Sequence, residues 1–364
     1  MVPSIGPIMF AATRLLRQPR KSLADMAYKS WEQSPARDIK LPPMILLEDG
    51  LGSVTSGPDF GSGAIARNHM LSDAMRVVAP HGPTRVLELR RATLSGGSVY
   101  SGGGRYTLRQ SAFSGALRPV RKHLAEATLV PSLAGCNYFG HWLLEDCAQQ
   151  LLAEKLDGEL IDIERPIYVQ EPDYRDLLKL SKPTQHEHID VSALQIIEDS
   201  GATTSKIERI LQLKQRLWSR IPSNDKIPGV FVERGQTGSP RQLLNEESVI
   251  NCVLSRGFQI VAPEKMAARD VASLLARSRI VMGVDGSHMF ANPIAMYPGS
   301  CVLELHPANR FYPVQRVFLG PLGIHYSVLI CENRDPVSFV ANLGQLERLL
   351  DLCQRAADSD ASNL

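Results

Sequence analysis

A chain of 364 residues, 44% hydrophobic and 21% charged, can bury a large core and exceeds the usual size of one domain, so two domains of comparable size are expected. Its 40 basic against 38 acidic side chains give a formal charge of +2, which excludes the clear basic excess of a dedicated nucleic-acid binder. Six scattered cysteines without a CxxC pair exclude a zinc-ribbon pattern and fit a reducing cytoplasm, and no apolar run reaches the roughly 18 residues of a spanning helix.

Residues 1–37 read as one or two short helices. The apolar run Ile5 to Ala12 is followed, not preceded, by Arg14, Arg17, Arg20 and Lys21, the wrong order for a secretory signal; the alternatives are a solvated leader or a helix in peripheral contact with a membrane surface. Ile45 to Glu48 fit a short strand. The segment Gly61 to Ala66 (GSGAIA) matches a dinucleotide fingerprint only formally, because no apolar strand leads into it. From Val86 to Arg121 short strands flank Gly102-Gly103-Gly104, which reads as a tight hairpin rather than a phosphate cradle. The stretch LAGCNYFGHWLLEDCAQQLLAEKL has its leucines at helical spacing, so a helix is expected from Tyr138 to about Leu156 with Asn137 as its N-cap. His141 and Glu145, four apart, share a face of that helix, and Asp146 lies one step round. Arg165 to Gln170 fit a strand and Tyr174 to Leu180 a helix. His186, His188 and Asp190 would share one face of a strand and could hold a metal, although a loop leaving a surface strand gives the same residues. Ile207 to Trp218 form a helix, with Lys206, Arg209, Lys214, Arg216 and Arg220 assigned to its solvated face.

The Pro- and Gly-containing stretch Ser219 to Gly229 is the best linker, dividing the chain into 1–222, 223–345 and a terminal segment 346–364. Beyond it apolar strands (Gly229 to Glu233, Phe258 to Ala262, Ile280 to Gly283, Cys301 to Leu305) alternate with helices through short loops, the pattern of a doubly wound parallel α/β sheet. Ligands on such sheets bind at the carboxyl ends of strands, here Arg234, Pro263, Asp285 to Ser287 and Glu304 to His306. Leu346 to Ala357 is a terminal helix, followed by a disordered tail holding the one Asp-x-Asp motif, Asp358-Ser359-Asp360. A metal held there is not expected, nor elsewhere.

Arg234 and Arg241 at the mouth of the sheet can take a diphosphate bidentately, together with the helix start at Gly286 and Ser287. Glu304 can accept from a ribose diol, or equally be paired structurally with an arginine. Asn245 and His288 join this group at the strand ends. An aspartate beside a diphosphate is electrostatically awkward, so Asp285 is expected to touch another part of the ligand.

Glu233-Arg234, Arg241, Asn245-Glu246, Gly257-Phe258, Pro263-Glu264, the Gly283-x-Asp285-Gly286-Ser287 turn and the Pro298-Gly299-Ser300 close, preceded by Asn137, Gly140, His141, Trp142, Leu143 and Glu145, resemble the motifs of family 61 glycosyltransferases in order and spacing over about Asn137 to Tyr326. The resemblance implies a GT-B-like arrangement, two Rossmann-like domains facing across a cleft. It also implies an inverting transfer from a nucleotide sugar to a hydroxyl acceptor, in a family whose bacterial members serve capsular, exopolysaccharide or lipopolysaccharide synthesis; a UDP-linked donor and a glycan or glycolipid acceptor are expected, with no cofactor, and with no metal because the one Asp-x-Asp motif lies in the tail. His141 would be the base, with Glu145 as second choice and Asp146 beside them. Departures are Asp285-Gly286-Ser287 where many members have His-Gly-Ala, and Ala148-Gln149 where Pro-Arg is common. Two other readings stand: a binding protein that has lost turnover, and a nucleotide-dependent oxidoreductase or epimerase, which would need a glycine fingerprint that Glu233 to Arg241 (ERGQTGSPR) does not supply.

Overall fold

Strands buried on both faces must be apolar along their whole length, and the C-terminal half is built from such strands. The computed structural model describes residues 5–16, 19–60, 62–109, 122–222, 225–235, 238 and 240–361. The chain divides into two compact units, Met1–Arg37 with His81–Leu213, and Asp38–Pro80 with Lys214–Leu364. The segment 38–80 therefore belongs with the C-terminal half, where the sequence assigned all of 1–222 to the first domain. A hydrogen bond from the Ile45 N–H to the Tyr326 carbonyl ties it there, and the expected strand at Ile45 to Glu48 is a single bridge between Ile45 and Ser327.

The second unit carries a seven-stranded sheet in the order Gln242–Leu243, Ser338–Val340, His325–Asn333, Cys301–Pro307, Ser278–Val284, Ile227–Val232, Gln259–Val261. Its last five are mutually parallel. In chain order these five run 2-1-3-4-5, so the winding direction reverses between Ile227–Val232 and Ser278–Val284. Connections leave in opposite directions at such a reversal, opening a crevice at the carboxyl ends of those two strands. The sheet packs on the helices Glu246–Leu254 and Leu343–Ala361 through a core that includes Phe231, Val249, Val253, Met282, Leu303 and Leu346. Truncating such a side chain to alanine costs about 2–5 kcal/mol. The terminal helix runs to Ala361, correcting the expected disorder over Asp358 to Ala361, while the rest of that tail lies outside the described residues: Asp358 accepts from Gln354 Nε2 at 3.0 Å, one turn earlier, and pairs with Arg279, so the Asp-x-Asp motif is helical.

The first unit is a mixed sheet, not a second doubly wound one. Thr184–His186, Glu159–Ile163, His123–Leu129 and His188–Glu198 are parallel; Thr84–Ser95, Ser98–Ser101 and Gly104–Thr107 continue the sheet as an antiparallel meander, and Lys29–Ser34 pairs with Thr84–Ser95. The hairpin reading of the triple glycine holds. Gly102 and Gly103 form the two-residue turn with φ of 54° and 77°, the left-handed values that the twist of adjoining strands favours there. Arg165 to Gln170 is not a strand. Arg165 instead turns inward to pair with Asp162 at 3.1 Å and Glu171 at 3.0 Å, and the strand is the preceding Glu159–Ile163.

Candidate functional site

At the reversal in the second unit, Arg234 lies just past one strand and Asp285 just past its neighbour. Arg234 Nη1 donates to the Asp285 backbone carbonyl at 2.9 Å. Arg241 Nη1 donates to the same carbonyl and, at 2.7 Å, to Asp285 Oδ2. Arg310 Nε stands 3.8 Å from that carboxylate oxygen. Three guanidiniums thus converge on one aspartate, with Glu264 close enough to Arg234 to favour its charge. Burial and then Arg241 push Arg234 down to about 10, so it stays charged at neutral pH. Burial opposes ionisation of Asp285, and Arg241 leads the cations that outweigh it and hold the carboxyl below its ordinary value. A Cβ on Gly286 would stand 2.4 Å from Arg234 Nη1, so a side chain there would drive the guanidinium out of position. Cations therefore exceed anions at this strand end, the composition of a site for a multiply charged anion.

Other members of the expected donor group lie differently. Ser287 opens a helix of five residues, Ser287–Ala291, that passes into a 3-10 turn at Asn292–Ile294, too short for much macrodipole. The arginines carry the anion attraction instead. Burial pushes the half-buried His288 down to about 4, so it is neutral at physiological pH. Asn245 exchanges two hydrogen bonds with the Ala341 backbone, at 2.9 and 3.0 Å, and pins the edge of the sheet rather than facing the strand ends.

Glu304 also departs from expectation. It is 0% exposed: Oε1 accepts from Gln315 Nε2, and Oε2 from Tyr326 Oη at 2.6 Å while lying 3.1 Å from His306 Nε2. Both of its carboxylate oxygens are engaged inside the protein. It forms the floor beneath Asp285, where His306, raised above its ordinary value despite burial by its contact with Glu304, adds positive charge near the Asp285 carboxylate. Among the described residues, Asp285, Glu304 and His306 bring one ligand atom each within 4.8 Å of one another. A cation there would have to displace the Tyr326, Gln315 and Arg241 donors and sit against Arg310, so the residues fit a hydrogen-bonded network better than a metal.

The first unit holds the other predicted group. Ser132, not Asn137, caps a short helix, Leu133–Asn137; Asn137 ends it and gives its amide to the Leu133 carbonyl at 2.6 Å. The chain breaks at Tyr138, re-enters helix at Phe139–His141, widens into a π turn at Trp142–Asp146 and continues as Cys147–Ala153. The expected continuous helix is therefore interrupted within the motif, and π turns are common at functional sites. His141 and Glu145 do share a face, with Nδ1 and Oε1 2.5 Å apart. The second oxygen of Glu145 accepts from Lys206 Nζ at 2.8 Å. Burial opposes ionisation of Glu145, but Lys206 and His141 outweigh it and hold its carboxyl at about 2. Asp146 turns away from this pair. It is buried, its Oδ2 accepts from the Ser132 N–H at 3.2 Å, and burial pushes it up to about 8. A Cβ on Gly135 would stand 1.8 Å from that oxygen, so Asp146 and Gly135 form one fitted joint that braces the preceding helix. Gln149, where the resemblance expects an arginine, is buried and donates to the Val130 carbonyl at 2.7 Å.

The solvated basic face is the largest correction. On the helix Thr204–Trp218, Lys206, Arg209 and Lys214 are all buried. Arg209 pairs with Asp199 at 2.5 Å, and Lys214 Nζ donates to the carbonyls of Pro293 at 2.7 Å and Met296 at 2.6 Å. Helical spacing does not reveal this, because the partners lie outside the helix, from Asp199 just before it to Glu145, Pro293 and Met296 far along the chain. His186, His188 and Asp190 do not form a ligand set: a break at Glu187 puts His186 on a separate strand, near Glu159 at 3.6 Å, while Asp190 accepts from Thr93 at 2.6 Å. Arg310 and His306, which complete the arginine site from below and beside it, are visible in the sequence only as residues beyond a strand end.

A model of the family described as Glycosyltransferase 61 matches residues 139–303. No curated protein matches the chain. Among solved structures the chain is similar to the E. coli heptosyltransferase WaaC with ADP, at 9% identity over 63% of this chain and 100% of that one, TM-score 0.32. It is also similar to a family 9 glycosyl transferase from Veillonella parvula, at 10% identity over 66% and 98%, TM-score 0.32. A third similarity is to the iron-containing dodecameric glycosyltransferase TibC from enterotoxigenic E. coli, at 13% identity over 64% and 78%, TM-score 0.28.

Proposed function

We propose, from the match of residues 139–303 to the Glycosyltransferase 61 model, that the chain is a glycosyltransferase of that family and moves a sugar, with inversion, from a UDP-linked donor to a hydroxyl of a glycan or glycolipid acceptor. The observation that carries this reading is the convergence of Arg234, Arg241 and Arg310 at the winding reversal of the second unit. A departing nucleoside diphosphate needs positive charge, which these guanidiniums supply without a metal ion. An inverting transfer also needs a base for the acceptor hydroxyl. On this reading His141, 28% exposed at its side chain and oriented by Glu145, takes that proton. Asp285 occupies the guanidiniums as a counter-ion and turns to the sugar once the diphosphate takes its place.

A role in surface-polysaccharide synthesis at the cytoplasmic face of a membrane belongs to the same reading. Among the described residues no helix is long and apolar enough to cross a membrane. Peripheral contact is supported by the helix Ile5–Leu15, which exposes Ile8, Met9 and Leu15 beside Arg14.

Calorimetric titration with UDP in EDTA tests the donor site. Wild type is expected to bind, and Arg241→Ala to bind about 10- to 100-fold more weakly, the loss of a charge-assisted pair. Equal affinities would sink the diphosphate assignment. Asp285 favours a second reading, a nucleotide-binding protein without turnover, because it already neutralises part of the site. Nucleotide binding without hydrolysis across a donor panel would select that reading.

A further inference from the structure

A buried lysine is retained only where its donors are met, because desolvating an ammonium costs several kcal/mol. Lys206 is 2% exposed and its Nζ has two acceptors, Glu145 Oε2 at 2.8 Å and the Asp199 backbone carbonyl. The second acceptor is itself fixed. The Asp199 carboxylate takes hydrogen bonds from Thr84 at 2.9 Å, Thr203 at 2.8 Å and Arg209 at 2.5 Å. Thr203 Oγ1 also accepts the Lys206 backbone N–H at 3.1 Å, closing the helix start around the lysine. The ammonium is therefore held at both ends of its side chain, against a carboxylate whose other oxygen touches His141.

The consequence lies in the imidazole. Where Glu145 is a carboxylate it only accepts, so Nδ1 of His141 must carry the proton and Nε2 keeps its lone pair. A buried Glu145 without an ammonium beside it would take up a proton and donate it to Nδ1 instead. The ring would then carry its hydrogen on Nε2, where it could not receive one.

We propose that Lys206 is a positioning residue that fixes the tautomer of His141 through Glu145, leaving Nε2 as the proton acceptor. This rests on the assignment of His141 as the base. In that step the acceptor hydroxyl gives its proton to Nε2 as its oxygen bonds to the sugar carbon and the diphosphate leaves with the bonding pair; the imidazolium is balanced by Glu145, which stays ionised.

Long-range 1H–15N spectra of the full chain report the tautomer without any substrate, and the His141 signals are identified by their loss in His141→Ala. Wild type is expected to show a proton on Nδ1 and none on Nε2. In Lys206→Met the pattern is expected to invert or mix, with kcat falling at least about 10-fold, donor KM unchanged, and partial recovery in Lys206→Arg. A folded Lys206→Met with the wild-type tautomer and kcat overturns the proposal. If Lys206→Met does not fold, Glu145→Gln, which removes the charge and keeps the shape, must disturb the same signals; an unchanged ring spectrum there is equally fatal. A changed tautomer in Lys206→Met together with full activity in His141→Ala would leave the lock standing and remove the base assignment, so the two failures are separable.

Discussion

Asp146 is one residue from Glu145, yet the two carboxyls titrate in opposite directions. Glu145 is held at about 2 against burial by Lys206 and His141, whereas Asp146 meets no cation and burial pushes it up to about 8. The folded protein grips the Asp146 proton more tightly than the unfolded chain does. Its contribution to stability is therefore full below about pH 4 and lost as pH rises through about 8. Asp146→Asn keeps an acceptor for the Ser132 N–H without a charge to desolvate. Thermal melts at pH 5 and pH 8.5 are expected to show a wild-type decrease larger by about 4 °C than that of Asp146→Asn. Parallel decreases would mean that Asp146 does not titrate as burial dictates. The face shared by His141 and Glu145 was legible from a spacing of four. Which of two adjacent carboxyls serves the histidine was not, because the π turn and the distant lysine decide it, and neither leaves a mark in local sequence.

Elements were legible in proportion to how far periodicity alone specifies them. The parallel strands of the second unit stand close to where uninterrupted apolar runs placed them, since burial on both faces leaves no alternative composition. The helix Thr204–Trp218 was legible as a helix and misleading as a surface. Its basic residues read as solvated, but Lys206, Arg209 and Lys214 point into the protein toward carboxylates and carbonyls that the helix cannot announce. Lys214, 0% exposed, closes off the carbonyls of Pro293 and Met296, at the end of the segment that begins at Asp285, and its ammonium stands 5.1 Å from the Trp218 ring. Lys214→Met removes both donors while filling the space. Its expected cost is about 1–3 kcal/mol, a fall of about 2–8 °C in Tm, with weaker UDP binding as the segment loosens. An unchanged Tm would show that the carbonyls find other donors.

For the whole molecule, the second unit's architecture and the position of its strand-end arginines followed from the sequence, because a doubly wound sheet fixes where its carboxyl ends lie. The mixed sheet of the first unit did not, since short strands joined by glycine turns leave pairing order open. The two units then divide the proposed chemistry: a cluster of three guanidiniums with one aspartate in the second, and an imidazole braced by a buried carboxylate and ammonium in the first. On the proposed reading the first group handles the leaving diphosphate and the second the acceptor proton. The most direct measurement is release of nucleoside diphosphate from a panel of nucleotide sugars in the presence of EDTA. The expected result is release from at least one donor, undiminished by the chelator and reduced about 100-fold or more in His141→Ala when acceptor is supplied. Release that appears only when manganese is restored, or that is unaffected by His141→Ala, would contradict it.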